Sequence, residues 1–259
     1  MEVRAINTVV ERDIQEIISD SQIFDAFRGK LILVTGATGL IGSMVARSLI
    51  AANDAYHLSL RVICHVRNIE KAHHMFSDIV DSDILTFVDT PLESLDIACD
   101  YIMHGAAPTK SKYFVEHPVD TIRTSIHGTE RMLELGKEQK IKGMVYLSSM
   151  EQYGVPYESG QVMTEDRIGY LDHLNVRSSY SESKRLCECY CKSYAVEFGV
   201  PVKIARLAQT FGAGVSLDDN RVFMQFTKNA LERRNIILHT KGDSMSNFCY
   251  ITDAVRAIL

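Results

Sequence analysis

The stretch Lys30-Leu-Ile-Leu-Val-Thr-Gly-Ala-Thr-Gly-Leu-Ile-Gly-Ser43 decides how the chain is read. A run of β-formers, Leu31 to Val34, stops at Gly36, and Gly36, Gly39 and Gly42 then recur at every third position into an apolar helical segment, Leu40 to Ala51. This spacing predicts a strand, a tight turn and a helix. The first glycine permits the turn, the second lets backbone amides approach a pyrophosphate, and the third lets helix pack on strand, with the phosphate at the positive helix end. The flanking strand and helix separate this pattern from a chance glycine trio. Gly36, Thr38, Gly39, Leu40, Ile41 and Gly42 are therefore the candidate residues for holding a dinucleotide.

Working outward, strands are expected at Leu58 to Val66, Ile84 to Val88, Tyr101 to Ala107, Met144 to Ser149 and Val202 to Leu207. Helices are expected between them at Ile69 to Phe76, Val119 to Gln139 and Tyr180 to Phe198. Strands that alternate with helices imply crossover connections and a parallel sheet covered on both faces, a doubly wound α/β fold with ligands at the carboxyl ends of the strands. Upstream, Ile6, Val9, Val10, Ile14, Ile17 and Ile18 recur at helical spacing among charged residues, predicting an amphipathic helix that covers a flank of the core. Beyond Gly212 come a polar stretch, a helix Val222 to Arg234, a strand Ile236 to His239 and a last helix from Thr252. The expected division is an N-terminal extension at 1–29, a nucleotide-binding domain at 30–211 and a small C-terminal substrate-binding region at 212–259. The long loop Gly154 to Ser179 reads as a binding loop or lid.

Composition narrows the partners. The 259 residues are 46% hydrophobic, enough for one generous core, and carry a net charge of -5 from 28 basic and 33 acidic residues. No run of Lys or Arg exceeds two, so neither a nucleic acid nor a membrane surface is an expected partner. No stretch approaches the ~20 apolar residues of a membrane span, and the first 30 residues lack a signal-peptide core, so the expected location is the cytoplasm. Six cysteines then read as reduced thiols. Three of them form Cys187-Glu-Cys-Tyr-Cys191, but on a helix Cys187 and Cys191 share a face while Cys189 points elsewhere, so no metal is expected.

Four further stretches fall into register with the glycine turn: Tyr180-Ser-Glu-Ser-Lys184, the strand end Leu147-Ser-Ser149, the strand end His104-Gly-Ala-Ala107, and the closing Phe248-Cys-Tyr-Ile-Thr-Asp253. Together they resemble the extended short-chain dehydrogenase/reductase family, of the NAD-dependent epimerase/dehydratase type, from about Lys30 to Leu259. That resemblance implies a Rossmann fold and a nucleotide-sugar substrate oxidised transiently at C-4. It also implies a homodimer formed through the helices Val119 to Gln139 and Tyr180 to Phe198.

The Tyr-x-x-x-Lys pair has its own logic. Residues four apart on a helix share a face, so Tyr180 and Lys184 reach one pocket, where a nearby ammonium stabilises phenolate and brings a general base toward working pH. By resemblance, Tyr180 takes the proton from a sugar hydroxyl, Lys184 also holds the nicotinamide ribose, Ser149 orients the substrate, and Ala106 and Ala107 lie against the cofactor. His104 is expected to be structural. Met150 stands where sugar 4,6-dehydratases carry an acid, which argues against that branch. Glu151, the segment from Ala107-Pro108, and Thr121 to Thr129 lean instead toward UDP-glucuronate decarboxylases, with Pro108, Gln209 and Arg221 as candidate substrate contacts. Two departures from that branch are Gln209 in place of Asn, and Ser246-Asn247 where an Arg is usual.

The cofactor is left as NAD or NADP. The second strand ends Cys64-His-Val-Arg-Asn68 without the carboxylate that usually holds an adenosine ribose, and Arg67 suits a 2′-phosphate. Asp89 is placed by resemblance at the adenine edge. Leu259 falls within an expected helix, so the substrate-binding region reads as truncated or reduced. Two further functions stay open at this point, an NADPH-dependent carbonyl reductase and a non-catalytic nucleotide sensor.

Overall fold

In a computed structural model, residues 8–79, 83–158, 160, 162–216, 219–238, 241–242 and 245–259 are described. The elements in chain order are α1 (Thr8–Ile17), β1 (Leu31–Thr35), α2 (Leu40–Tyr56), β2 (Arg61–His65), α3 (Ile69–Met75), β3 (Leu85–Val88), β4 (Tyr101–His104), α4 (Ser111–Glu116), α5 (Pro118–Gln139), β5 (Gly143–Ser149), α6 (Ser178–Phe198), β6 (Val202–Leu207), β7 (Gln209–Phe211), α7 (Val222–Leu231), β8 (Phe248–Tyr250) and α8 (Ile251–Ile258). Six parallel strands lie in the order β3-β2-β1-β4-β5-β6, so the strand order reverses beside β1, where Thr35 stands level with His104. That reversal opens the crevice in which doubly wound sheets bind ligands.

The two-residue period of a strand explains the layering. Ile32 and Val34 of β1, with Val62 and Cys64 of β2, face one core completed by α2 and α8. Leu33 and Ile63 face the opposite core, where Met132, Leu135, Cys187 and Cys191 of α5 and α6 pack. Cys187 and Cys191 are buried and Cys189 is exposed, as their spacing implied.

The glycine turn is fixed by contact. Gly36 has φ +71°, and a Cβ there would stand 2.8 Å from the Gly105 carbonyl carbon. A Cβ on Gly42 would stand 2.4 Å from the Gly36 carbonyl oxygen, so α2 sits directly on the turn. Gly42→Ala is expected to push the helix off the turn and cost about 1–3 kcal/mol, the range for overpacking a tight contact. Urea denaturation measures it, and an unchanged midpoint would show that the turn yields freely.

The N-terminal helix α1 packs on α8 and α2 with Ile14, Ile17 and Ile18 buried, covering a flank of the core. Several expected boundaries need correction. Ile236 to Leu238 form no strand and are 48–66% exposed, and the second sheet holds β7 and β8 without them; His239 lies outside the described residues. Helix α7 stops at Leu231 rather than Arg234, with Arg233 in the left-handed region at φ +53°. The second strand starts at Arg61 rather than Leu58, after Ser59 at φ +54°, and the fourth ends at His104. The loop after Gly154 is pinned by an antiparallel bridge between Val155 and Tyr170, and α4 was not foreseen.

Candidate active site

Thr35 closes β1, and its hydroxyl organises the crevice. It accepts from the Gly105 and Ala106 amides, each at 3.2 Å, so its own proton goes to His104 Nδ1 at 2.7 Å. His104 Nε2 then donates to Thr129 Oγ1 (3.2 Å), which donates to the Ser125 carbonyl (2.7 Å). Burial lowers the His104 pKa to about 3, so the ring is neutral and fully committed. This is the structural role expected for it.

Ser149 and Tyr180 lie on the crevice at the end of β5 and in the first turn of α6, the serine hydroxyl near enough to the phenol to favour its ionised form. The Tyr180 ring stacks on Phe114 of α4, centroids 4.3 Å apart and 4° from parallel. Lys184, one turn further along α6, is 3% exposed and donates to the Leu147 carbonyl at 2.7 Å, its ammonium 5.7 Å from the Tyr180 ring centroid. The sequence expectation that the ammonium draws the phenol toward working pH is not met in this geometry. Burial pushes Tyr180 up to about 12, outweighing the opposite pull of the Ser149 hydroxyl, while Lys184 faces a carbonyl.

Lys184 is itself lowered to about 8 by burial, against a usual 10.5. The unfolded chain holds this proton, and the folded chain does not, between about pH 8 and 10.5, so this group adds stability as pH rises through that window. Lys184→Met is spared the cost of burying the charge at neutral pH. Its stability relative to the wild type is expected to fall by ~3 kcal/mol between pH 7 and pH 10.5. A pH-independent difference in urea denaturation would show that burial does not perturb the ammonium.

Glu151 lies in the 3-10 turn after Ser149, with its amide donating to Ser149 Oγ at 3.2 Å. Its carboxylate is held by Arg177 (2.7 Å), and Ser181 Oγ approaches it at 3.5 Å. The Arg177 guanidinium also lies 4.8 Å from the Phe114 ring centroid, so Glu151, Arg177, Phe114, Tyr180 and Ser149 close a ring of contacts. Arg177 and Phe114 were not anticipated. The spacing of Arg177 and Ser181, four apart on one helical face, was the available signal for the first; Phe114 carried none. Beneath this ring, Ser148 Oγ donates to Glu188 at 2.5 Å, and Arg206 makes a two-pronged pair with the same carboxylate at 2.7–3.1 Å. Arg185 donates to the carbonyls of Gln152, Tyr153 and Gly169, fastening the turn that bears Glu151 to α6.

The other candidates are spread around the crevice. Thr38, Leu40 and Ile41 sit at the start of α2, and Pro108 follows β4, half-buried. Arg67 is exposed just past β2, where Val66 is buried and the Asn68 side chain caps α3. Asp89 is exposed after β3. Gln209 lies on β7, level with Phe248. Arg221 is engaged, pairing with Asp219 at 2.7 Å and donating to the Thr210 carbonyl at 2.8 Å. Among the described residues no group of three or more His, Cys, Asp or Glu is gathered for a metal ion, and no helix is long and apolar enough to cross a membrane.

A doubly wound sheet with a glycine turn at its reversal, and Ser149, Tyr180 and Lys184 at the neighbouring strand and helix ends, defines an extended short-chain dehydrogenase/reductase. The chain belongs to the NAD dependent epimerase/dehydratase family, whose model matches residues 32–259. It is 31% identical over 232 residues to UDP-glucuronic acid decarboxylase 6 of Arabidopsis thaliana, covering 88% of this chain and 64% of that one. It is 29% identical to UDP-glucuronic acid decarboxylase 1 of Danio rerio, covering 89% and 53%. The chain thus spans between about half and two thirds of the length of these relatives. Among solved structures, UDP-glucuronic acid 4-epimerase from Bacillus cereus, in complex with UDP-glucuronic acid and NAD, superposes with a TM-score of 0.72 at 23% identity, covering 87% of this chain and 70% of that one. An epimerase from Methanothermobacter thermautotrophicus superposes with a TM-score of 0.76 at 22% identity, covering 92% and 69%. At such identities these two superpositions speak for the fold.

Proposed function

We propose that the protein is an NAD(P)-dependent enzyme that oxidises a nucleotide-activated sugar transiently at C-4, and that its substrate is a UDP-uronic acid, which it decarboxylates or epimerises. The observation that carries this reading is the placing of Ser149, Tyr180 and Lys184 beside the glycine turn. The turn suits a dinucleotide: at Gly39, which caps α2 without a side-chain hydrogen bond, a Cβ would meet only the Gly36 carbonyl oxygen, so the first amides of α2 stay approachable by a phosphate. A nicotinamide bound there would supply the hydride acceptor and donor that such a cycle needs. Within that cycle Tyr180 takes the proton of the C-4 hydroxyl and gives it back at the end, while Ser149 hydrogen-bonds the same oxygen. Lys184, one helical turn along and anchored on the Leu147 carbonyl, is placed to hold the nicotinamide ribose. The C-4 ketone lets a C-5 carboxylate leave as carbon dioxide, the electron pair passing to the ketone and a proton then arriving at C-5. Water brings that proton, and Glu151, beside Ser149 and paired with Arg177, is the carboxylate available to orient it. The UDP-glucuronic acid decarboxylases among the relatives support this substrate, and none of the relatives described supports a reductase or a sensor.

The test is to incubate the protein with UDP-glucuronate and a panel of other nucleotide sugars and follow products by mass. Loss of about 44 mass units, one carbon dioxide, selects decarboxylation, and an isomeric product selects epimerisation. No turnover of any sugar overturns the reading. Steady absorbance of the reduced nicotinamide separates this cycle from a reductase, which consumes its cofactor. For the cofactor, Arg67 is the determinant between NADP and NAD: Arg67→Asp should shift binding toward NAD, and equal affinities in both proteins would remove it from that role. A homodimer through α5 and α6 remains part of the reading, supported by the exposed Val119, Ile122, Leu186, Val196 and Phe198 and tested by light scattering.

A further inference from the structure

Helix α1 precedes the residues that match the family, yet it carries a fully buried carboxylate. Asp13 is 0% exposed on the face of α1 turned inward with Ile14 and Ile17. A buried carboxylate persists only with partners. Its partners are the Tyr250 hydroxyl, which donates to Oδ2 at 2.8 Å, and the guanidinium of the neighbouring Arg12 at 3.2 Å, whose side chain is largely exposed. Tyr250 ends β8 and belongs to the Phe248 to Asp253 stretch, 237 residues away along the chain. An amphipathic cover for the core needs only its apolar stripe; a charge inside that stripe is an expense without a packing return.

Tyr250 is well placed to pass a constraint onward. It stands level with Phe211 in the β7–β8 ladder and meets the Phe211 ring edge to face at 5.4 Å. Phe211 in turn packs against Phe223 and Phe248, and the Thr210 carbonyl beside it receives Arg221. Gln209 and Arg221, the candidate substrate contacts, are thus linked to the Asp13 carboxylate through Tyr250 and the β7–β8 ladder. The ladder itself is only three residues long on each strand, too short to hold its own register firmly.

We infer that Asp13 is a positioning residue for the substrate side of the crevice: through Tyr250 it clamps β7 and β8, making the N-terminal helix a working part of the site. This rests on the nucleotide-sugar reading only for the meaning of "substrate side"; the clamp is a matter of structure. Deuterium exchange of the full chain, compared among the wild type, Asp13→Ala, Asp13→Asn and Tyr250→Phe, tests it. Asp13→Ala and Tyr250→Phe are each expected to speed exchange of the β7 and β8 amides about tenfold, the effect of losing one hydrogen bond to a charged group. Amides of β1, β4 and β5 should stay unchanged. Asp13→Asn keeps an acceptor oxygen and should lie between, and the pair Asp13→Ala with Tyr250→Phe should add little to either single change. With UDP-glucuronate as substrate, KM is expected to rise at least about threefold with a smaller change in kcat. Unchanged exchange in β7 and β8, or a rise spread evenly over the six-stranded sheet, overturns the clamp. Failure to turn over any nucleotide sugar counts instead against the proposed function, and exchange still decides the role of Asp13.

Discussion

Tyr180→Phe is expected to lower turnover of the nucleotide sugar by about 10²–10⁴-fold, the usual contribution of a positioned general base. The phenyl ring that remains keeps its stack on Phe114, so the substitution removes one hydroxyl, with any hydrogen bond it makes, and little else. The net worth of such a bond is about 1 kcal/mol, so the variant should stay folded with a slightly lower melting temperature. Dinucleotide affinity should barely change, because the glycine turn does not touch the phenol. Single-turnover formation of reduced nicotinamide on mixing with substrate isolates the first proton and hydride transfer. Turnover within about tenfold of the wild type would remove Tyr180 from the chemistry.

The largest effect on stability is expected at Arg206. Replacing it by Met leaves Glu188, at 9% side-chain exposure, without its two-pronged partner, and breaking a buried pair from one side costs about 3–5 kcal/mol. Removing both, Arg206→Met with Glu188→Leu, should recover much of that loss, since no buried charge is left. Ser148 would then lose its acceptor, a smaller penalty. Urea midpoints of the three variants decide the matter: a single variant as stable as the wild type would mean that water reaches the carboxylate. Because Ser148 adjoins Ser149, the single variant should also lower turnover beyond what partial unfolding explains.

The parts of this molecule that were legible in the chain are those that local geometry dictates. The glycine turn follows from where a Cβ fits, and the facing of Tyr180 and Lys184 follows from the helical repeat. The succession of the large strands and helices along the chain follows from apolar runs separated by helical segments. Contacts made across long separations left no such trace. Arg177 reaches Glu151 over 26 residues of loop, and Phe114 lies in a six-residue helix too short to show a period. Strands β7 and β8 are likewise too short to alternate, whereas the apolar Ile236 to Leu238 resembles a strand but pairs with neither of them. The phenol of Tyr180 shows the limit most plainly. Its neighbouring ammonium could be read from the sequence, but the burial that raises the phenol, and the turn of that ammonium to the Leu147 carbonyl, depend on tertiary packing, to which Phe114 contributes.

The Thr35 hydroxyl carries one more implication. Because it already occupies the Gly105 and Ala106 amides, those two N–H groups are spent inside the protein and have nothing to offer a ligand. The strand end after β4 therefore meets a dinucleotide as a smooth wall, selecting by shape and dispersion rather than by polarity. Directional recognition falls to the opposite side of the crevice, where the first turn of α2 still has amides without helical partners.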